Sequence, residues 1–324
     1  YVAMTRAKEG LYLFSAVDYG GSRKRKPSRF LLELGFDAKA VPKLEKDLLV
    51  LPEQIEYSLE DIVHKVPERI SFSQIAAFST CPMQYKYAHI LKVPSFGKQQ
   101  MSFGQTMHNT LQKFVEQVML RKNIVQTSLF PQADAEGRNE LNVNDLLSIY
   151  ADSFIDEWYV DEGQREQYRE TGRLALIKFY NKFVAEAPNP YALEMGFTCK
   201  VKDILIKGRI DRVDQVEGGY EIIDYKTGHA KEKLSWDDKR QLILYAIALE
   251  DCFDPPLKVK KLTYYYLTDD CKVSFEPTDK DKEKLADEII ETMAAIEKGD
   301  FSPTPDEWKC ANCDFNEICP SSKV

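Results

Sequence analysis

The sequence predicts an α/β fold in which a mixed central sheet is flanked by helices. Three observations predict it. Strand-like segments follow one another over residues 192–202, 204–213 and 219–226, and Gly218-Gly219 offers a hairpin turn between the last two. A helix-period segment over 238–251 separates these from strands over 260–267 and 271–276, and a helix over 279–298 follows. The 324 residues are 44% hydrophobic and 30% charged, the balance of a soluble globular protein with enough apolar mass for one large domain or two small ones.

Residues 1–17 read as a helical turn followed by a short apolar strand. Residues 18–67 mix a Gly20-Gly21 turn, the basic run Arg23-Lys-Arg-Lys26, a short helix over 30–34 and a proline-punctuated polar stretch. Most of this reads as linker, with the domain boundary within 41–67. The chain opens on Tyr1 inside a strand pattern and so reads as a fragment of a longer polypeptide. From Ile70 the pattern tightens. Ser71-Phe-Ser73 supplies a serine to cap a short helix that Cys81-Pro82 ends, and Tyr85 and Tyr87 follow. Met107, Leu111, Phe114, Val115 and Val118 give 105–119 helical spacing. Residues 123–143 read as a loop insertion, and helices over 144–158 and 165–186 follow, the second stopped by Pro188 and Pro190. Two domains result: 1–67, and a larger one over 68–324.

No apolar run approaches a membrane span and no secretory signal is visible. A net charge of -8 argues against a general nucleic-acid binder but leaves room for a local basic track beside an acidic metal site. The basic run at 23–26 reads as a solvated linker. Seven cysteines, an odd number at spacings unlike a disulfide framework, fit a reducing, cytoplasmic setting.

The chemistry concentrates on the strand pair. Asp224 and Lys226 alternate onto one face, and a hairpin through Gly218-Gly219 can bring Asp211 beside them. Two carboxylates and an ammonium at the ends of apolar strands suit a hard divalent cation and a developing negative charge. A magnesium-dependent phosphodiesterase needs that equipment. An Asp-x-Lys tripeptide alone reads as a surface ion pair. The flanking Gly208-Arg-Ile-Asp211-Arg212 and Thr227-Gly228 reverse the preference.

These residues resemble the RecB-type branch of the PD-(D/E)XK nuclease superfamily, whose pattern is G-x-(I/V)-D-R followed by D-Y-K-T-G. The match runs through Gly208, Asp211, Arg212, Asp224, Tyr225, Lys226, Thr227 and Gly228. It implies a restriction-endonuclease-like core, Asp211 and Asp224 as ligands to Mg²⁺ or Mn²⁺, the Tyr225 backbone carbonyl as another ligand, and Lys226 as the catalytic lysine. His108 alone would read as a packed or capping residue. With Gly104 it matches the family's G-x-x-x-H element, whose histidine binds metal, and an imidazole among carboxylates favours Mn²⁺. Gln241 and Tyr245 share a helix face, where Tyr245 could simply pack with Leu242, Ala246 and Leu249. The family's Q-x-x-x-Y element implies instead that the pair lies near nucleic acid. Glu194 resembles a frequent family acid.

Cys310-x2-Cys313-x5-Cys319 in the tail and the remote Cys81 form a second constellation. Three clustered thiolates need a fourth ligand to complete a tetrahedral sulfur shell or a four-iron cluster. The one-plus-three layout resembles the iron–sulfur variant of the same family. This implies a [4Fe–4S] staple between the N-terminal helix and the tail, with zinc as the alternative. Cys199, Cys252 and Cys271 read as unligated thiols.

The string Val2-Ala-Met-Thr-Arg6-Ala-Lys8 resembles the last motif of UvrD/Rep-type superfamily 1 helicases, whose arginine reaches the γ-phosphate of ATP; Arg6 takes that position. No G-x-x-x-x-G-K-(S/T) phosphate loop is present, so this chain cannot run that motor by itself. The resemblances together imply a metal-dependent DNA nuclease. They point to a single-stranded DNA exonuclease in DNA end processing and recombination repair, joined to a helicase motor, with a second helicase–nuclease subunit as a further partner. The alternative is an inactive nuclease-fold module that binds DNA or braces a helicase complex, against which the intact Asp211, Asp224 and Lys226 argue.

Overall fold

The computed structural model describes residues 66–127 and 141–324. The expected motor remnant with Arg6, the basic run at 23–26, the helix at 30–34 and most of the linker lie outside the described residues, as does most of the expected insertion at 123–143.

A two-residue strand β1 (Ile70–Ser71) leads into helix α1 (Phe72–Thr80). Ser71 caps that helix by accepting from the Gln74 N–H, and the Gln74 side chain returns the bond to the Ser71 N–H. Cys81-Pro82 ends α1 as the sequence suggests, but Pro82 also begins α2 (Pro82–Tyr85), which runs into a π-helical turn at Lys86–Ile90. Proline is pre-set for a first helical position, where its missing N–H costs nothing. Helix α3 (Gln99–Thr127) is longer at both ends than its apolar stripe. Its flanks, such as Gln99, Gln100, Arg121 and Lys122, are good helix formers that carry no hydrophobic period. Helices α4 (Val143–Ser153) and α5 (Glu162–Glu186) complete this layer.

The sheet follows: β2 (Pro190–Val201), β3 (Ile204–Val216) and β4 (Gly219–Lys226), then α6 (Trp236–Asp251), β5 (Val259–Tyr266), β6 (Cys271–Phe275), α7 (Asp279–Lys298) and the short α8 (Glu307–Ala311). Six strands run in the order β1-β3-β4-β5-β6, with β2 on β3. The β1–β3 and β4–β5 pairs are parallel and the others antiparallel, so the sheet is mixed as expected. One face carries Ile206, Ile210, Ile222 and Leu262 against α1, α6 and α7. The other packs Ile223, Tyr225 and Tyr265 against Met107, Leu111 and Phe114 of α3 and Leu176, Phe179 and Phe183 of α5. Both layers are needed to bury the sheet, since Ile222 faces one and its neighbour Ile223 the other.

Two local departures position the site. Pairing of β3 with β4 stops at Arg212↔Ile223, and β3 passes to β1 at Ile206 and Lys207, leaving a fork beside Asp224–Lys226. Side-chain alternation along β3 also breaks there, since Ile210 and Val213, three apart, share one face. Opposite, Glu194 of β2 sits in the left-handed region at φ 46°, a strained conformation for a residue with a Cβ, of a kind that collects at functional sites.

One expectation is corrected. Cys199 of β2 and Cys252, which caps the C-terminus of α6, form a disulfide and are not unligated thiols. Their 53-residue separation hides a Cα–Cα distance of 5.5 Å, which only the packing of α6 on the sheet creates. Cys271 carries a free thiol.

Candidate active site

At the fork, the Asp211 carboxylate accepts a hydrogen bond of 2.9 Å from the Tyr225 backbone N–H, a donor the parted strands leave free. The same oxygen lies 3.3 Å from Nδ1 of His108, which α3 delivers from the opposite layer. Glu194 joins them: the ligand atoms of His108, Glu194 and Asp211 all lie within 4.8 Å of one another. Arg209 approaches Glu194 at 3.5 Å from the exposed side.

Asp224 lies next to this set. One of its oxygens accepts from the Gln241 side-chain amide at 3.0 Å, and the other faces the Lys226 ammonium at 2.6 Å without a hydrogen bond of its own. The carboxylate is 3% exposed, while the Lys226 side chain is 37% exposed, so the ammonium is the part of the pair that meets solvent. Lys226 also donates to the Gln241 carbonyl oxygen at 3.1 Å. The same Gln241 amide nitrogen donates to the Tyr245 hydroxyl at 2.8 Å. Gln241 is thus the clip that holds Asp224 and Lys226 in register, and the buried Tyr245 fixes its orientation.

The charges couple as this geometry requires. Burial is the largest influence on Asp224 and, helped by the Asp211 charge, lifts it to about 6 against the opposing pull of Lys226. Burial also raises Glu194, again helped by Asp211. Burial alone would lower His108, but its hydrogen bond to Asp211 and the nearby carboxylate charges raise it on balance. Asp224 and Glu194 both resist ionising beside Asp211, and one Asp224 oxygen meets only the Lys226 ammonium, an arrangement that fits a site completed by a cation. The donor set of carboxylate oxygens and one imidazole suits Mg²⁺ or Mn²⁺.

Of the residues singled out in the sequence, the structure brings together His108, Asp211, Asp224, Lys226 and Gln241, with Glu194 as an equal member of the tight set. Tyr225 turns its ring to the opposite face, where its hydroxyl accepts from Arg212 at 3.1 Å. Arg212, buried itself, is clamped by Asp214 through contacts of 2.6 and 2.5 Å. That triad braces the back of the fork: Arg212 and Asp214 share a face by ordinary alternation, and the Arg212↔Ile223 register sets Tyr225 on that same face. Elsewhere, Cys81, Cys310, Cys313 and Cys319 line a single cavity. Burial raises the Cys81 thiol, but backbone N–H groups of Thr304, Gln84 and Met83 outweigh it and lower it overall, the state a thiolate ligand needs. Cys313 is raised, by burial first and then by its neighbouring thiols.

This chain belongs to the PD-(D/E)XK nuclease superfamily, whose family model matches residues 69–320. It is similar to the Gene 69 protein of Mycobacterium phage L5, 26% identical over 294 residues spanning 78% of this chain and 96% of the phage protein. The Gene 69 protein of Mycobacterium phage D29 is 26% identical over 278 residues, 80% of this chain and 98% of that protein. Among solved structures, SSO0001 covers 75% of this chain and 96% of its own at 14% identity, with a TM-score of 0.32. VC1899 from Vibrio cholerae covers 63% and 57% at 13% identity, with a TM-score of 0.21.

Proposed function

We propose that this chain is a Mg²⁺- or Mn²⁺-dependent deoxyribonuclease of the RecB type that hydrolyses single-stranded DNA as an exonuclease, joined to a helicase motor in DNA end processing and recombination repair. The observation that carries the reading is the convergence of His108, Glu194 and Asp211 within 4.8 Å of one another, beside the Asp224–Lys226 ion pair. His108, Asp211 and Asp224 would hold the metal together with the Tyr225 backbone carbonyl, and Glu194 adds a further carboxylate. The bound ion would supply charge neutralisation and activation of water.

The residues of the chain supply the rest. Lys226 presents an ammonium to the scissile phosphate and stabilises charge as water attacks phosphorus in line. Gln241 accepts from that ammonium at 3.1 Å and so helps to orient it beside Asp224. Arg212, Asp214 and Tyr225 hold the fork rigid from behind.

Cys81, Cys310, Cys313 and Cys319 are assigned to a [4Fe–4S] cluster that ties α1 to the tail, with zinc as the alternative. Their shared cavity and the lowered Cys81 support the assignment. The motor partner rests on the Arg6 string alone.

The test is cleavage of end-labelled single strands, end-free and end-blocked, with Mg²⁺ or Mn²⁺ and with chelator. Metal-dependent shortening from free ends by the wild type, and none by Lys226→Ala, is the expected result. Wild-type rates in Lys226→Ala, or no cleavage by the wild type with either metal, would overturn the proposal.

A further inference from the structure

A cavity of about 350 Å³ opens beside Lys226, and the nuclease reading gives it no occupant. Its floor is built by strand register. Asp224 and Lys226 of β4 pair with Tyr264 and Tyr266 of β5, so two tyrosines lie on the sheet face that carries the acid and the lysine. The Lys226 ammonium sits 5.1 Å from the centre of the Tyr264 ring. Phe72, at the start of α1, and Gly228 form walls.

The charges in its lining are already paired. Lys231 contacts Asp238 at 2.5 Å, Asp237 contacts Arg240 at 3.0 Å and His229 contacts Asp269 at 3.0 Å. Away from Lys226, what remains on offer is the partly buried Phe72 ring and the edges of the buried Tyr264 and Tyr266. The volume falls in the range of small-ligand sites, roughly 300–1,000 Å³. A neutral, flat, aromatic group linked to a phosphate would fill it, its phosphate meeting Lys226.

Gly228 offers a way to fill the cavity, since a Cβ there would meet nothing within 4 Å and its φ lies outside the left-handed region.

We propose that this cavity receives the base and sugar of the nucleotide adjoining the scissile phosphate, with the base against Phe72 and the tyrosine edges, and that it admits only an unpaired base. The proposal rests on the nuclease reading and deepens it. A base held in a duplex cannot turn into a one-nucleotide cavity unless it is first unpaired and unstacked, at a cost of a few kcal/mol. Single-strand preference then resides in this pocket, separate from the metal site.

Gly228→Leu sets an isobutyl side chain at the cavity wall, where a Cβ has open space. Phe72→Ala removes a stacking wall. Steady-state cleavage of a single-stranded oligonucleotide is compared with the quenching of 2-aminopurine placed singly along an identical strand bound in EDTA. We expect Gly228→Leu to raise KM at least tenfold with Mn²⁺ affinity unchanged, and quenching at one position to be lost in Gly228→Leu and Phe72→Ala. A wild-type KM and intact quenching in Gly228→Leu would overturn the pocket while leaving the nuclease reading standing. Absence of cleavage by the wild type would overturn the nuclease reading, and the quenching alone would then decide whether the cavity binds a base.

Discussion

Gly208→Ala should be the most informative substitution away from the metal-site carboxylates. Gly208 of β3 pairs directly with Phe197 of β2, whose ring lies across it. A Cβ at 208 would fall 2.4 Å from the tip of that ring and 2.6 Å from the next atom. Ordinary contact begins at 3.4 Å, so the ring must retreat by roughly 1 Å into a packed interior. Overpacking of this kind costs about 1–3 kcal/mol, and the loss of glycine's unfolded-state freedom returns about 0.5–1. The net of roughly 0–2.5 kcal/mol, centred on about 1.2, corresponds at its centre to a fall in Tm of roughly 2–5 °C for a domain of this size. The displacement also has a direction. Phe197 rests edge-on against Tyr245 at 5.8 Å, and the Tyr245 hydroxyl holds Gln241. Cleavage should therefore fall with stability. Melting curves of the wild type, Gly208→Ala, Phe197→Leu and the double variant test this. The smaller leucine should make room, so the double variant should be more stable than additivity predicts by at least about 1 kcal/mol. An alanine variant that melts at or above the wild type, or strict additivity, would refute the reasoning.

Three further outcomes follow from the same geometry. Asp224 keeps its proton up to about 6 because burial outweighs Lys226, and a bound metal needs the carboxylate, so Mn²⁺ affinity should hold above that pH and fall as pH drops through it. The raised His108 acts in the same direction, and titration calorimetry showing pH-independent affinity from about 5 to 8 would contradict both. Cys252→Ser opens a loop of 53 residues and should cost about 4 kcal/mol in melts without reductant, with the difference vanishing in dithiothreitol. Anaerobically purified protein should absorb near 400 nm and lose that band in Cys313→Ser, whereas a colourless protein that retains zinc would reassign the four thiols.

The strands and the central residues of the site were legible because alternation and helical period survive in residue types. Asp224 and Lys226 fall on one face by counting alone, and the Gly218-Gly219 turn gives the hairpin. What stayed hidden depends on tertiary geometry. The fork at Arg212↔Ile223 redirects Asp211 to a backbone amide, and no local pattern announces it. Glu194 was legible through its resemblance to a frequent family acid, but its left-handed backbone in mid-strand was not, since propensity argues there for an ordinary strand residue. Gln241 and Tyr245 were visible as a pair one turn apart. Their inward use, clipping Asp224 to Lys226, becomes evident only once α6 lies over β4. The Cys199–Cys252 bond was missed for the same reason, since nothing in a 53-residue separation reveals proximity.

The central claim is that side chains from α3, β2, β3 and β4 gather a divalent ion where Lys226 can meet a phosphate. Mn²⁺ titration followed by electron paramagnetic resonance tests it most directly, on the wild type, Asp211→Ala and Lys226→Ala. The account predicts saturable binding in the wild type and in Lys226→Ala, and its loss in Asp211→Ala. Binding that survives Asp211→Ala unchanged, or no binding by the wild type, would contradict it.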